Sequence, residues 1–311
     1  MIPNIILLVI GFFLLVKGAD FLVNGASSVA KKFHIPTLII GLTIVAIGTS
    51  MPELVVSTFS ALEGHSDIAM GNVVGSNLSN LLFILGISAI IKPLEFKKQT
   101  KFIDNFIALF ATIMLFVLLY NNIITRVEGI ILMACCIAFI IYNIVMAHKN
   151  KDEESEEIEL MPTWKSCIYI ALGIIGLKFG GDFVVEGASE IAKLMGISEK
   201  VIGLTIVAFS TSLPELITSV TATRRGEVDM AIGNILGSQI FNIFLIIGLS
   251  AIITPITYSV SYNFDMFVLL LSTIVFAMFP FVNPKDKMSQ VEGIVFLVIY
   301  MYYIMRLVVI V

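Results

Sequence analysis

The sequence predicts an all-α integral membrane protein of ten transmembrane helices in two inverted five-helix repeats. Three observations predict it: the composition, a ladder of long apolar stretches and an internal duplication. Of the 311 residues, 58% are hydrophobic and 14% charged, and the mean hydropathy is +1.00. A chain of that composition needs lipid as its solvent rather than water.

Apolar stretches of about 20 residues, the length that crosses about 30 Å of hydrocarbon, recur along the whole chain. They lie near 3–27, 36–62, 68–91, 102–120, 124–147, 163–189, 198–223, 229–253, 262–283 and 289–310. None alternates apolar and polar residues as a membrane β-strand would. The first stretch lacks a basic leader and outruns the apolar core of a signal peptide, so it is read as a span.

Internal similarity organises the ladder. Ile40-Gly-Leu-Thr-Ile-Val-Ala-Ile-Gly-Thr-Ser-Met-Pro-Glu-Leu54 recurs in the second half as Ile202-Gly-Leu-Thr-Ile-Val-Ala-Phe-Ser-Thr-Ser-Leu-Pro-Glu-Leu216. The same offset, without a gap, superimposes Gly71-Asn-Val-Val-Gly-Ser-Asn-Leu-Ser-Asn80 on Gly233-Asn-Ile-Leu-Gly-Ser-Gln-Ile-Phe-Asn242, and Gly18, Asp20 and Gly25 on Gly180, Asp182 and Gly187. The copies span 1–147, with its repeated core at about 36–91, and 163–311, with its core at about 198–253. Each holds five spans, and an odd number makes the second copy enter the membrane from the opposite side. Inverted repeats place a transporter's substrate site near the midplane, where broken helices of the two copies meet.

Loop charge predicts the orientation. With the loop after the first span inside, thirteen Lys and Arg fall in the loops on that side, and four, Arg126, Lys193, Lys200 and Arg306, on the other. The chain is therefore expected in the cytoplasmic membrane with both termini extracellular. The acidic segment within 148–162 (Lys151-Asp-Glu-Glu-Ser-Glu-Glu-Ile-Glu159) is read as a solvated cytoplasmic linker. Cys135, Cys136 and Cys167 have no metal or redox spacing and are read as apolar fillers without a disulfide.

The chemistry concentrates at the repeat centres. Glu53 and Glu215 lie near the middle of the second and seventh spans, each directly after a proline, Pro52 or Pro214. A carboxylate at that depth costs about 2.5–3.5 kcal/mol or more, so each requires compensation, and bound cations would supply it. Each proline frees the carbonyl four residues earlier, at Gly48 and Ser210, and is expected to kink the helix so that backbone near Ala46–Ser50 and Ala208–Ser212 turns oxygens to a cavity. The third and eighth spans add Ser76, Asn80, Ser238 and Asn242, with Gly71, Gly75, Gly233 and Gly237 permitting close helix approach. Carboxylates, hydroxyls, amides and carbonyls make a site for a hard cation such as calcium or sodium. His34, His65 and His148 are expected in loops, which disfavours zinc. Asp20 and Asp182 are read either as lining an access route or as capping or interhelical groups. No His-Glu-x-x-His or comparable enzymatic motif occurs.

At these motifs the sequence resembles the calcium/cation antiporter superfamily, and within it a compact prokaryotic sodium/calcium exchanger of ten helices. The resemblance covers essentially the whole chain. It implies alternating access, Ca²⁺ export in exchange for Na⁺ and no cofactor, with the two ions as substrates, the bilayer as solvent and no nucleic-acid partner; a monomer is compatible with it. It also implies that Glu53 and Glu215 are the shared carboxylates, flanked by Thr49, Ser50, Thr211 and Ser212. The carbonyls of Ala46 and Ala208, with Ser76 and Ser238, would complete sodium sites, and Asn80 and Asn242 the centre. Many relatives, the potassium-dependent exchangers among them, carry Asp at the position of Asn242, which favours potassium-independent exchange here; the exchange of three Na⁺ for one Ca²⁺ that the resemblance suggests would be electrogenic. A second departure is Ser210, where relatives usually have Gly. A Ca²⁺/H⁺ antiporter and a cation channel are the alternative expectations.

Overall fold

The computed structural model describes residues 2–149, 161–196, 208–282 and 286–310. Eight helices in it are long and apolar enough to cross a membrane: α1 (Ile2–Phe33), α4 (Ser66–Ile91), α5 (Thr100–Asn121), α6 (Arg126–Lys149), α7 (Thr163–Leu194), α9 (Val228–Ile253), α10 (Val260–Val282) and α11 (Gln290–Ile310). Between α1 and α4 runs a broken span, α2 (Thr37–Thr49) and α3 (Met51–Leu62), bent by 48°. The short segment Ala208–Ser210 precedes α8 (Leu213–Arg224). The acidic linker and the repeated stretch Ile202–Val207 lie outside the described residues. The described spans are all helices, and the chain is a multi-pass membrane protein.

Helices α4 and α9 form the centre, with 72% and 83% of their spanning windows buried against 22–44% for the other long helices. The outer helices turn their Val, Ile, Leu and Phe side chains outward, as a lipid solvent allows. Two small antiparallel sheets tie loops of the two copies together. Strand β1 (Leu94–Glu95) pairs with β4 (Lys287–Met288), and β2 (Ile123–Ile124) with β3 (Ile256–Thr257).

Lipid offers no hydrophobic drive between helices, so contact depends on small residues that let backbones approach. Helices α1 and α7 show this along their length. Gly11, Gly18 and Gly25 face α7, and Gly173, Gly180 and Gly187 face α1, in antiparallel order. The seam carries the internal symmetry: a Cβ on Gly18 would stand 2.7 Å from the Leu177 nitrogen, and one on Gly180, its equivalent in the second copy, 2.7 Å from the nitrogen of Leu15. Gly233 and Gly237 of α9 do the same against α2, where a Cβ on Gly233 would lie 2.4 Å from the Leu38 oxygen.

Two details differ from the sequence expectation. Helices α1 and α7 run on to Phe33 and Leu194, past their apolar stretches, because their last turns are polar but end in Lys31, Lys32 and Lys193, which suit a helix C-terminus. His148, expected in a loop, lies in the last turn of α6 for the same reason, with Nδ1 2.8 Å from the Ile144 carbonyl oxygen. His34 and His65 do sit in loops.

The seam makes a direct prediction. Gly18→Leu drives a side chain into the backbone of α7 and is expected to cost about 1–3 kcal/mol or more, whereas Gly181→Ala, with no atom within 4 Å among the described residues, is tolerated. Thermal unfolding of the two detergent-solubilised variants checks the difference.

Candidate functional site

The proline of each Pro-Glu pair sits in the first turn of a half-helix rather than in the middle of a kinked one. At Ser50 the backbone leaves helical values (φ −83°, ψ 8°), and α3 starts at Met51 with Pro52 in its first turn. Ser212 (φ −84°, ψ 0°) does the same ahead of α8, with Pro214. Proline suits that position because the first N–H groups of a helix have no intrahelical partner. Glu53 and Glu215 thereby fall in the first turns, where free N–H groups and the helix dipole favour negative charge. Both side chains are wholly buried.

Each carboxylate is lined by hydroxyls of both copies. Ser50 donates to Glu215 Oε1 at 2.9 Å. The hydroxyls of Thr49 and Ser238 also approach Glu215, while those of Thr211 and Ser76 approach Glu53 without reaching bonding geometry. Ser76 and Thr211 are themselves 3.4 Å apart, hydroxyl to hydroxyl. The two carboxylates are close enough to feel each other's charge, and among the described residues neither has an ion-pair partner. Both oxygens of Glu53, Oε2 of Glu215 and the hydroxyls of Ser212 and Ser238 are buried without a partner among those residues, as are the Asn80 amide and Asn242 Oδ1.

Around this centre runs a frame of hydrogen bonds to which the sequence motifs alone assign no role. Thr49 donates to Asn234 Oδ1 at 3.0 Å, and Asn234 donates to Ser219 at 2.9 Å. The equivalent residues of the other copy repeat it: Thr211 donates to Asn72 Oδ1 at 3.1 Å, and Asn72 to Ser57 at 2.9 Å. Each asparagine therefore ties the Thr-Ser end of one copy to the Pro-Glu helix of the other. Asn72 and Asn234 are the Asn of each Gly-Asn-x-x-Gly-Ser motif, and Ser57 and Ser219 stand four residues after the glutamates, one turn on along the same face. That spacing was the available signal.

The structure thus brings together Thr49, Ser50, Glu53, Ser76, Thr211, Glu215 and Ser238. Asn80 and Asn242 are buried in the central helices α4 and α9, and Ser212 is buried at the break before α8. The Ala46 carbonyl accepts the Ser50 N–H at 3.0 Å, with the Thr49 hydroxyl oxygen 3.3 Å away, so it is occupied here rather than turned free. Ala208 lies in the short helical segment before the second break. Asp20 approaches neither carboxylate; it pairs with Arg225 at 2.6 Å, an interhelical role, and Asp182 pairs with Lys178 on its own helix. The described residues hold no group of three His, Cys, Asp or Glu, so an ion here would depend on hydroxyl, amide and carbonyl oxygens beside the two carboxylates.

Broken helices meeting at buried, cation-ready carboxylates from duplicated halves define an ion-coupled membrane transporter, not an enzyme. The family model of the sodium/calcium exchanger protein matches residues 3–145 and 165–309, and the chain belongs to that family. It is 33% identical over 97% of its length to the putative antiporter CaxA of Alkalimonas amylolytica, covering 98% of that protein. It is 31% identical to the sodium/calcium exchanger MaX1 of Methanosarcina acetivorans, with 98% of each chain covered. Its fold is similar to the solved structure of the sodium-calcium exchanger NCX_Mj soaked with Na⁺ and Ca²⁺, at a TM-score of 0.85 and 31% identity over 98% of each chain.

The asparagine frame carries a test. Asn234→Leu strips the partners of Thr49 and Ser219 together and is expected to cost about 1–3 kcal/mol for the buried groups left unpaired. Thermal unfolding of the purified variant reads the loss, and Ser219→Ala, which removes one end of the frame, should cost less.

Proposed function

We propose that the chain exports Ca²⁺ in exchange for Na⁺ at one site shared by Glu53 and Glu215. The single observation that carries this reading is the pair of wholly buried carboxylates without an ion-pair partner among the described residues, surrounded by neutral oxygens. One Ca²⁺ would balance their two charges, and Na⁺ accepts the same oxygen types at lower charge. The names of MaX1 and NCX_Mj support the same pair of ions.

Competition for the same oxygens makes exchange obligatory. An empty site leaves two uncompensated carboxylates in the membrane interior and discourages the passage between inward-open and outward-open states. The ligands in this reading are Glu53 and Glu215, the hydroxyls or backbone oxygens of Thr49, Ser50, Thr211 and Ser212, Ser76, Ser238, Asn80 and Asn242, and the carbonyls of Ala46 and Ala208. The last two require a local rearrangement, because the Ala46 carbonyl is engaged. Three Na⁺ for one Ca²⁺, the ratio the resemblance implies, moves one net charge per cycle, worth about 2.3 kcal/mol per 100 mV. The neutral Asn242 supports exchange without potassium.

The architecture in this reading is ten spans in two inverted copies, 1–147 and 163–311, around a cytoplasmic linker. The chain lies in the cytoplasmic membrane with both termini outside. The mirrored Thr-Asn-Ser bonds and the seam between α1 and α7 support the inversion, and the loop charges support the orientation.

Sodium-driven uptake of radiolabelled Ca²⁺ into reconstituted vesicles tests the assignment. Glu53→Gln and Glu215→Gln are each expected to slow uptake by more than about tenfold, since a lost carboxylate ligand removes at least one factor of ten in ion affinity. Undiminished uptake in either variant contradicts it. Uptake that follows an imposed pH gradient and ignores Na⁺ would replace Na⁺ by H⁺ as the coupling ion, and flux without any counter-ion would make the chain a channel.

A further inference from the structure

A side-chain amide has one end that a cation accepts and one that it rejects, so a neutral Asn serves as an ion ligand only when something fixes which end points at the ion. In the eighth span that something is visible. Asn242 Nδ2 donates to Asn77 Oδ1 at 3.0 Å, and both side chains are wholly buried. With its nitrogen held by Asn77, whose own Nδ2 has no partner among the described residues, Asn242 keeps Oδ1 unpartnered among them and open to a cation. Asn242 opens a π-helical turn, Asn242–Ile247, and that turn packs against α3, the half-helix of Glu53.

The mirror positions behave differently. The offset that relates Glu53 to Glu215 also relates Asn77 to Gln239 and Asn80 to Asn242. Gln239 does not hold Asn80. Its Nε2 donates instead to Thr112 at 3.2 Å and to Thr273 at 3.0 Å, on α5 and α10. Those threonine hydroxyls spend their own hydrogens on the carbonyls of Ala108 and Leu269, at 2.9 and 2.8 Å, and so can only accept from Gln239. Both polar ends of Asn80 are left without a partner among the described residues. The duplicated amide pair is thus made in one copy and unmade in the other.

We infer that Asn77 is a positioning residue for Na⁺: it sets the Asn242 amide with its oxygen toward the cation site, while Asn80 remains free to turn. The inference rests on the exchange reading above, in which Asn242 is a ligand. It also explains how a neutral residue serves at a position where a carboxylate, having oxygen at both ends, would need no such holding.

The experiment measures the Na⁺ concentration that half-saturates Ca²⁺ uptake into vesicles, and the maximal rate, for the parent and its variants. Loss of one buried hydrogen bond that selects the amide orientation should raise half-saturation about threefold to tenfold in Asn77→Leu, with the maximal rate less affected. Asn77→Asp keeps an acceptor for the Asn242 nitrogen and is expected at or below the parental value. Asn242→Asp in the Asn77→Leu background should bring half-saturation back toward the parent, because a carboxylate offers an oxygen whichever way it turns; a merely structural loss would not be rescued in this way. If Asn77→Leu does not fold, Asn77→Ala replaces it. Parental half-saturation in the Leu or Ala variant, or no rescue by Asn242→Asp, overturns the positioning role. Parent vesicles without sodium-driven uptake, or uptake indifferent to Glu53→Gln, overturn the exchange reading itself.

Discussion

Two carboxylates buried in the interior of a membrane protein, close enough to repel and without a cationic side chain paired to either among the described residues, constrain everything around them. Such a pair persists only if the protein supplies partial positive charge and leaves room for cations to supply the rest. The partial charge comes from the helix breaks at Ser50 and Ser212, which put Glu53 and Glu215 in the first turns of α3 and α8. Hydroxyls from both copies add hydrogen-bond donors that can rotate away and offer oxygen lone pairs once a cation arrives. The same atoms therefore suit the site with cargo and soften it without.

Duplication solves the second problem, which is to hold two broken helices in register. Irregular backbone is tolerated at membrane depth only when protein covers it. The cover is α4 and α9, the most buried helices of the fold, and each lends an asparagine that stitches one copy's break to the other copy's Pro-Glu helix. Helices α1 and α7 lie together along a glycine seam, backbone to backbone, where the close approach leaves no room for a side chain. The symmetry is not perfect, and its departures fall where function can use them. Asn77 and Gln239 occupy equivalent places yet bond to different partners, so two equivalent asparagines are held in different ways.

Much of this was legible in the sequence, for identifiable reasons. An apolar stretch long enough to span a bilayer is hard to imitate, and a single gapless offset between the halves locates Glu53 and Glu215 as a pair without any structure. Less legible was whatever depends on the path of the backbone. Proline after a Thr-Ser pair is compatible with a kink or with a fresh helix start, and only the dihedral angles at Ser50 and Ser212 decide for the latter. The Ala46 carbonyl was expected to turn toward the site, but it accepts the Ser50 N–H as the last ordinary helical bond of α2 before the break. Asn72 and Asn234 stood in the repeated motif, yet their bonds reach the other copy, and local spacing carries no information about that. The polar last turns of α1, α6 and α7 ended the apolar pattern before they ended the helices.

The central claim is that Na⁺ and Ca²⁺ compete for one set of oxygens around Glu53 and Glu215. Equilibrium Ca²⁺ binding to the purified, detergent-solubilised protein at a series of Na⁺ concentrations tests it most directly. The account predicts that Na⁺ shifts the Ca²⁺ isotherm to higher concentration without lowering its plateau. Ca²⁺ and Na⁺ binding side by side, each indifferent to the other, would contradict it.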